Sequence, residues 1–325
     1  MEQRHLGRSG LLVSRLALGT MTWGRDTDRH EARDQLLAFV EAGGTLVDTA
    51  DVYADGQSEE IIGTLLAEVG RDNLVIATKA VSRPTTSRRL DASRGYLLSA
   101  LDASLARLGV DHVDLWQLHA WDPLTPLEET LSALDTAVAS GRVRYVGISN
   151  WSGWQTAKGA ALQASRHGAA PLVSTQMEYS LLERGIEREV VHAATDAGLG
   201  ILPWSPLGRG VLTGKYRRGT PADSRGASSH FAPFVTPYLT DGARSVVDAV
   251  CTAAEGLGVA PLEVALAWVR DRPGVVAPIL GARTAAQLRG ALTVEDLTLP
   301  DEIVSALDEV SAPEVSYPDT SRQSR

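Results

Sequence analysis

Four residues, Asp48, Tyr53, Lys79 and His119, are of types that can move a proton between them. A phenol is a poor acid at neutral pH because its ordinary pKa is about 10. A nearby ammonium favours the phenolate; Lys79 can supply that charge, and Asp48 can keep Lys79 charged and in position. Tyr53 then becomes a usable proton donor to a carbonyl oxygen. His119 can hydrogen-bond the same oxygen and stabilise the negative charge that develops there. Such a set protonates an alkoxide but brings no electron pair. A hydride donor is the missing part, and a nicotinamide cofactor is its natural source. Singly, each residue has a commoner explanation: a capping or ion-paired Asp, a solvated Lys, a packed Tyr, a hydrogen-bonded core His. Their joint placement is what favours chemistry.

Three of the four close apolar runs: Thr45-Leu46-Val47-Asp48, Leu74-Val75-Ile76-Ala77-Thr78-Lys79 and Val113-Asp114-Leu115-Trp116-Gln117-Leu118-His119. Tyr53 follows the first run by a short loop. Each run reads as a buried strand, preceded by a helical stretch and a glycine (Gly44, Gly70, Gly109). The same grammar recurs at Gly141, Gly198 and Gly274, before strands at 143–149, 199–204 and 275–280. Glycine just past a helix end suits the left-handed position there. Leu97, Leu98, Leu101, Leu105 and Leu108 mark one face of the helix before the His119 strand. Short apolar strands alternating with such helices predict βαβ units and a parallel sheet covered on both faces. With 16–20 and 171–176 the strands number eight, which predicts a single-domain α/β (β/α)8 TIM barrel over 1–312. A doubly wound open sheet is the alternative. Parallel neighbours would bring all four side chains to one rim.

The 325 residues, 44% hydrophobic and 22% charged, have an ordinary globular composition, and barrels of this length commonly form one domain. A formal charge of −9 without any basic run argues against a nucleic-acid partner. No apolar stretch is long enough for a membrane span, and the N-terminus lacks a signal-peptide pattern. Cys251 stands alone beside Val246, Val247 and Val250 and reads as a core residue; a cytoplasmic location is expected. No metal is expected. Residues 5–13 carry a hairpin signal and could plug the barrel floor. Residues 217–239 form a long aperiodic loop after the seventh strand, placed to overhang the active face. Residues 313–325 read as a frayed tail.

Several stretches are specific: Leu18-Gly19-Thr20-Met21-Thr22-Trp23-Gly24, Val47-Asp48-Thr49-Ala50-Asp51-Val52-Tyr53, Gly147-Ile148-Ser149-Asn150, Gln176-Met177-Glu178-Tyr179-Ser180 and Pro203-Trp204-Ser205-Pro206-Leu207-Gly208-Arg209-Gly210. With the Lys79 and His119 strands, they resemble the aldo-keto reductase superfamily from Leu6 to about Leu292. The resemblance implies an NADPH-dependent carbonyl reductase whose tetrad is Asp48, Tyr53, Lys79 and His119, with Tyr53 as the acid in reduction. It places Gly19, Thr20, Met21 and Asp48 beside the cofactor. Ser149, Asn150 and Gln176 would hold the nicotinamide carboxamide, and Trp204 would stack on its ring. Ser205, Pro206, Leu207, Gly208, Gly210 and Lys215 would wrap the pyrophosphate. Gly281, Arg283 and Gln287 would embrace the adenosine phosphate, where a guanidinium fork suits a 2′-phosphate. Similar proteins usually carry Glu and Asn for the adenine where this chain has Gly290 and Ala291.

Trp23, Tyr53, His119 and Trp121 are expected to wall a pocket for a small carbonyl substrate, an aldehyde, ketone or sugar. Two other functions remain open. Lys79 could form a Schiff base in a lyase, although Asp48 would oppose this by keeping the amine charged. The chain could also be a cofactor-binding regulatory subunit of low turnover.

Overall fold

A computed structural model describes residues 1–222, 224–228 and 231–314. An N-terminal hairpin pairs β1 (Gln3–His5) with β2 (Leu12–Ser14). Eight parallel strands follow: β3 (Ala17–Gly19), β4 (Leu46–Asp48), β5 (Val75–Ala80), β6 (Val113–Leu118), β7 (Val143–Ser149), β8 (Leu172–Glu178), β9 (Gly200–Trp204) and β10 (Ile279–Leu280). Helices α1 (Arg29–Glu41), α2 (Gln57–Val69), α3 (Arg94–Leu108), α4 (Leu127–Ala139), α5 (Gly153–Ser165) and α6 (Val190–Ala197) fill the successive crossovers up to β9. Between β9 and β10 come α7 (Ala232–Val235), α8 (Asp241–Leu257) and α9 (Pro261–Arg270); α10 (Ala285–Leu292) and α11 (Asp301–Val310) follow β10.

The strands run in the order β10-β3-β4-β5-β6-β7-β8-β9. The ring closes where Val276 N–H donates to Ile201 O at 2.9 Å and Ile201 N–H to Gly274 O at 2.9 Å. This is the TIM barrel, and the open sheet is ruled out. The last strand is shorter than the expected 275–280. Pro278 has no N–H to give a ladder, so regular pairing with β3 begins at Ile279.

Side chains alternate along each strand, as the pleat requires. Ala17, Leu46, Ala77, Leu115, Val173 and Leu202 form one buried cluster inside the barrel, and Leu6 and Val13 of the hairpin join it from below. Residues 5–13 therefore do plug the floor. Gly7 (φ +59°) makes this possible, since a Cβ there would lie 2.5 Å from Gly198 O. Outward-facing Leu18, Val47 and Ile76 pack with Leu36 and Phe39 of α1 and Leu97, Leu101 and Leu105 of α3.

Some expectations change. Cys251 is half-buried, because the buried stripe of α8 runs through Val246, Val247, Val250 and Ala254 and leaves it on the flank. The 217–239 segment is not aperiodic throughout: it contains α7 and short 3-10 turns at Arg225–Ala227 and Thr236–Tyr238. Asp223, Ser229 and His230 of that segment, and 315–325 of the expected tail, lie outside the described residues. No single helix among the described residues is long and apolar enough to cross a membrane.

Candidate active site

Parallel register places the four residues together. Gly19, Asp48 and Ala77 are aligned on β3, β4 and β5, and Lys79 lies opposite Gln117 on β6, whose end delivers His119. After β4 the chain turns through a kinked 3-10 segment (Tyr53–Gly56) in which Ala54 and Asp55 have positive φ, and this presents Tyr53. The fully buried Lys79 ammonium donates to Asp48 Oδ2 at 2.7 Å, to Thr49 O at 2.7 Å and to Tyr53 Oη at 3.4 Å. The Tyr53 and His119 rings meet edge-on, 6.0 Å between centroids at 80°.

Burial alone would lower the Lys79 pKa, but Asp48 and Tyr53 outweigh it and hold the group above its ordinary value, as an ammonium. For Tyr53 the balance is opposite to the expectation from sequence. Burial raises the phenol, Asp48 and Asp51 add to that, and the opposing pull of Lys79 does not bring the pKa below its ordinary value. Burial, with the Lys79 charge behind it, pushes His119 down to about 3, so the imidazole is neutral at ordinary pH. Its Nδ1 is buried without a partner. An N–H there would be an unsatisfied donor, so the favoured tautomer carries its hydrogen on Nε2.

The rim opens into a cavity of about 660 Å³, a size typical of cofactor and ligand sites. Asp48, Tyr53 and His119 line one end. Along it lie Gly19, Thr20, Met21, Ser149, Asn150, Gln176, Trp204, Ser205, Pro206, Leu207, Gly210, Lys215, Gly281, Arg283 and Gln287. Lys79 sits behind this surface and reaches it through Tyr53. Three expected residues are placed elsewhere. Gly208 faces Leu182, whose Cδ1 would be 2.8 Å from an added Cβ. Trp23 is 0% exposed, with its Nε1–H donating to Gln35 Oε1 at 3.1 Å, so it belongs to the packing between barrel and helices. Trp121 turns edge-on to Trp151 and Trp154 (centroids 4.7 and 5.5 Å) and is not part of the cavity wall.

The sequence of residues 15–312 matches the model of the Aldo/keto reductase family. The chain belongs to this family. Its similarity to an uncharacterized oxidoreductase, YrpG, of Bacillus subtilis (strain 168) is 38% identity, covering 95% of this chain and 96% of the relative. A probable voltage-gated potassium channel subunit beta of Oryza sativa subsp. japonica is 36% identical over 95% of this chain and 96% of its own. Versiconal hemiacetal acetate reductase of Aspergillus parasiticus is 31% identical over 98% and 99%.

Aldo/keto reductases generally use a nicotinamide cofactor, and the donor set here fits one. Asn150 Nδ2 donates to His119 O at 2.9 Å and its Oδ1 accepts from Trp204 Nε1 at 3.1 Å. One hydrogen and one lone pair of that amide remain for a carboxamide. Gln176 Nε2 donates to Asp48 Oδ1 at 2.8 Å, and Ser149 Oγ to Gln176 O at 2.8 Å, so this row of polar side chains is tied to the Asp48 end. Asn150 (φ 58°) and Ser205 (φ 51°) are left-handed, a strain that gathers at ligand sites.

Arg209 and Phe234 are among the lining residues of this aldo/keto reductase that the sequence did not mark. The Arg209 guanidinium donates to both Glu178 carboxylate oxygens (2.8 and 2.6 Å) and to Phe234 O (2.6 Å), and lies 4.0 Å from the Phe234 ring centroid. Phe234 in turn stacks near-parallel to Trp204, at 6.4 Å and 16°. Arg209 lies between Gly208 and Gly210, and nothing local marks its pairing with Glu178, 31 residues away. Phe234 lay in a stretch without periodicity to mark its face.

Proposed function

We propose that this protein reduces an aldehyde or ketone to the alcohol with NADPH. The supporting observation is the Asp48–Lys79–Tyr53 chain of 2.7 and 3.4 Å contacts ending at the cavity beside a neutral His119. Bound NADPH would supply the hydride. Tyr53 Oη–H gives its proton to the carbonyl oxygen as charge develops there. The Nε2–H of His119 donates to that oxygen and orients it. Lys79 stabilises the phenolate left on Tyr53, and Asp48 keeps Lys79 charged and aimed. Trp204 offers a stacking face. Arg283, close to the start of α10, suits a 2′-phosphate and so favours NADPH over NADH. A Schiff-base role needs a neutral lysine, and the three acceptors around Lys79 oppose that.

A titration of intrinsic tryptophan fluorescence tests the site. Saturable quenching by NADPH that disappears in Trp204→Leu supports it; no response to NADPH or NADH sinks it. A second reading, a cofactor-binding regulatory subunit, is favoured by the relatives named as potassium channel beta subunits. Saturable NADPH binding without turnover of any aldehyde or ketone in a broad panel would move that reading ahead.

A further inference from the structure

The cavity is also walled by Leu262 of α9 and by Ala286, Leu288, Gly290 and Ala291 of α10. Gly290 and Ala291 sit in the last turn of α10, and Gly290 is about 7.5 Å of helix beyond Ala285 at 1.5 Å per residue. On the proposed reading, a dinucleotide with its nicotinamide at Tyr53 would have its second base to lay against this wall. None of these five side chains carries a polar atom. Some of the nearby oxygens are engaged in local hydrogen bonds. Gln287 Oε1 accepts from Arg283 N–H at 3.0 Å, Gly290 O accepts from the Thr293 hydroxyl at 3.0 Å, and the Thr213 hydroxyl donates to Gly210 O at 2.9 Å. At Gly290 an added Cβ would meet nothing within 4 Å, so there is open space beside this wall.

Adenine presents an amine donor at its edge, where hypoxanthine presents a carbonyl acceptor and a ring N–H. A site built to bond a polar group rejects the analogue that lacks it, whereas an apolar wall discriminates weakly. We infer that this cavity holds the purine by apolar contact without reading its exocyclic amine, so adenine and hypoxanthine dinucleotides bind alike. The inference rests on the proposed dinucleotide site and concerns what that site leaves unread.

The experiment is a fluorescence titration of the full chain with NADPH and with its reduced hypoxanthine analogue. The two dissociation constants are expected to differ by less than the roughly fivefold that one neutral hydrogen bond contributes; a larger preference for NADPH overturns the inference. Gly290→Glu, at an exposed helix position, introduces a carboxylate acceptor into the open space. It should shift preference toward NADPH by about tenfold or more, and an unchanged ratio overturns the role given to Gly290. If neither dinucleotide gives a saturable response with the unaltered chain, the dinucleotide reading itself fails, a result distinct from unequal binding.

Discussion

Lys79 shows how one residue links stability to chemistry, since its ammonium is wholly buried and its charge is matched by Asp48. Removing one partner of a buried pair typically costs about 3–5 kcal/mol, because the other charge is left uncompensated. Lys79→Met should therefore lower the urea midpoint sharply, and Lys79→Met with Asp48→Asn should recover part of the loss. If the double variant is as unstable as the single, the charge argument fails. Tyr53→Phe should reduce turnover by about 10²–10⁴-fold with NADPH affinity nearly unchanged; unaltered turnover would remove Tyr53 as the acid. Burial and the Lys79 charge push the His119 pKa down to about 3, so it should add no inflection to the turnover profile between pH 5 and 9. At this scale the sequence was legible wherever a polar residue closed an apolar run. It was illegible for Trp23 and Trp121, because an aromatic side chain suits a pocket wall and a packed core equally well, and only the hydrogen bond to Gln35 or the contacts with Trp151 and Trp154 decide.

Between elements, the critical joint is the fastening of the segment after β9 to the rim. Glu178 at the end of β8 holds Arg209, and Arg209 holds Phe234 of α7; Tyr238 adds a hydrogen bond to Glu178 Oε1 at 3.0 Å. Bidentate guanidinium–carboxylate pairs combine strength with fixed geometry. Arg209→Met should therefore speed amide hydrogen exchange through 231–238 while exchange in β5–β8 stays slow; protection unchanged at 231–238 would mean that other contacts hold the segment. The strands and the glycines between them were readable because burial on both faces leaves unbroken apolar runs. The fastening was not readable, because its partners are distant in sequence and their pairing is set by the barrel's curvature. The shortness of β10 follows from Pro278, which an apolar run conceals.

Across the whole molecule, two groups set opposing pH dependences. Burial, with the Glu59 charge, pushes Asp51 up to about 7, and its buried Oδ1 has no hydrogen-bond partner. A raised acid stabilises the fold below about pH 4, its unfolded value, and that contribution is lost as pH rises toward 7. His119 is depressed, so its contribution is present above about 6.5 and is lost as pH falls toward 3. Between pH 4.5 and 6.5 the two slopes oppose each other. Asp51→Asn removes the falling one, so its stability relative to the unaltered chain should climb with pH by up to about 1.4 kcal/mol per unit. Urea unfolding across that range checks this, and a constant difference would show that Asp51 is already ionised at pH 4.5. The ring closure has its own consequence for biosynthesis. β3 finds its outer neighbour only in β10, with Ala17 paired to Ile279. A chain emerging from the ribosome must carry seven strands before the eighth exists, with the exposed edges of β3 and β9 open to strands of other nascent chains. Translation that stalls before residue 279 would leave those edges uncapped, and such fragments would depend on chaperones to stay apart.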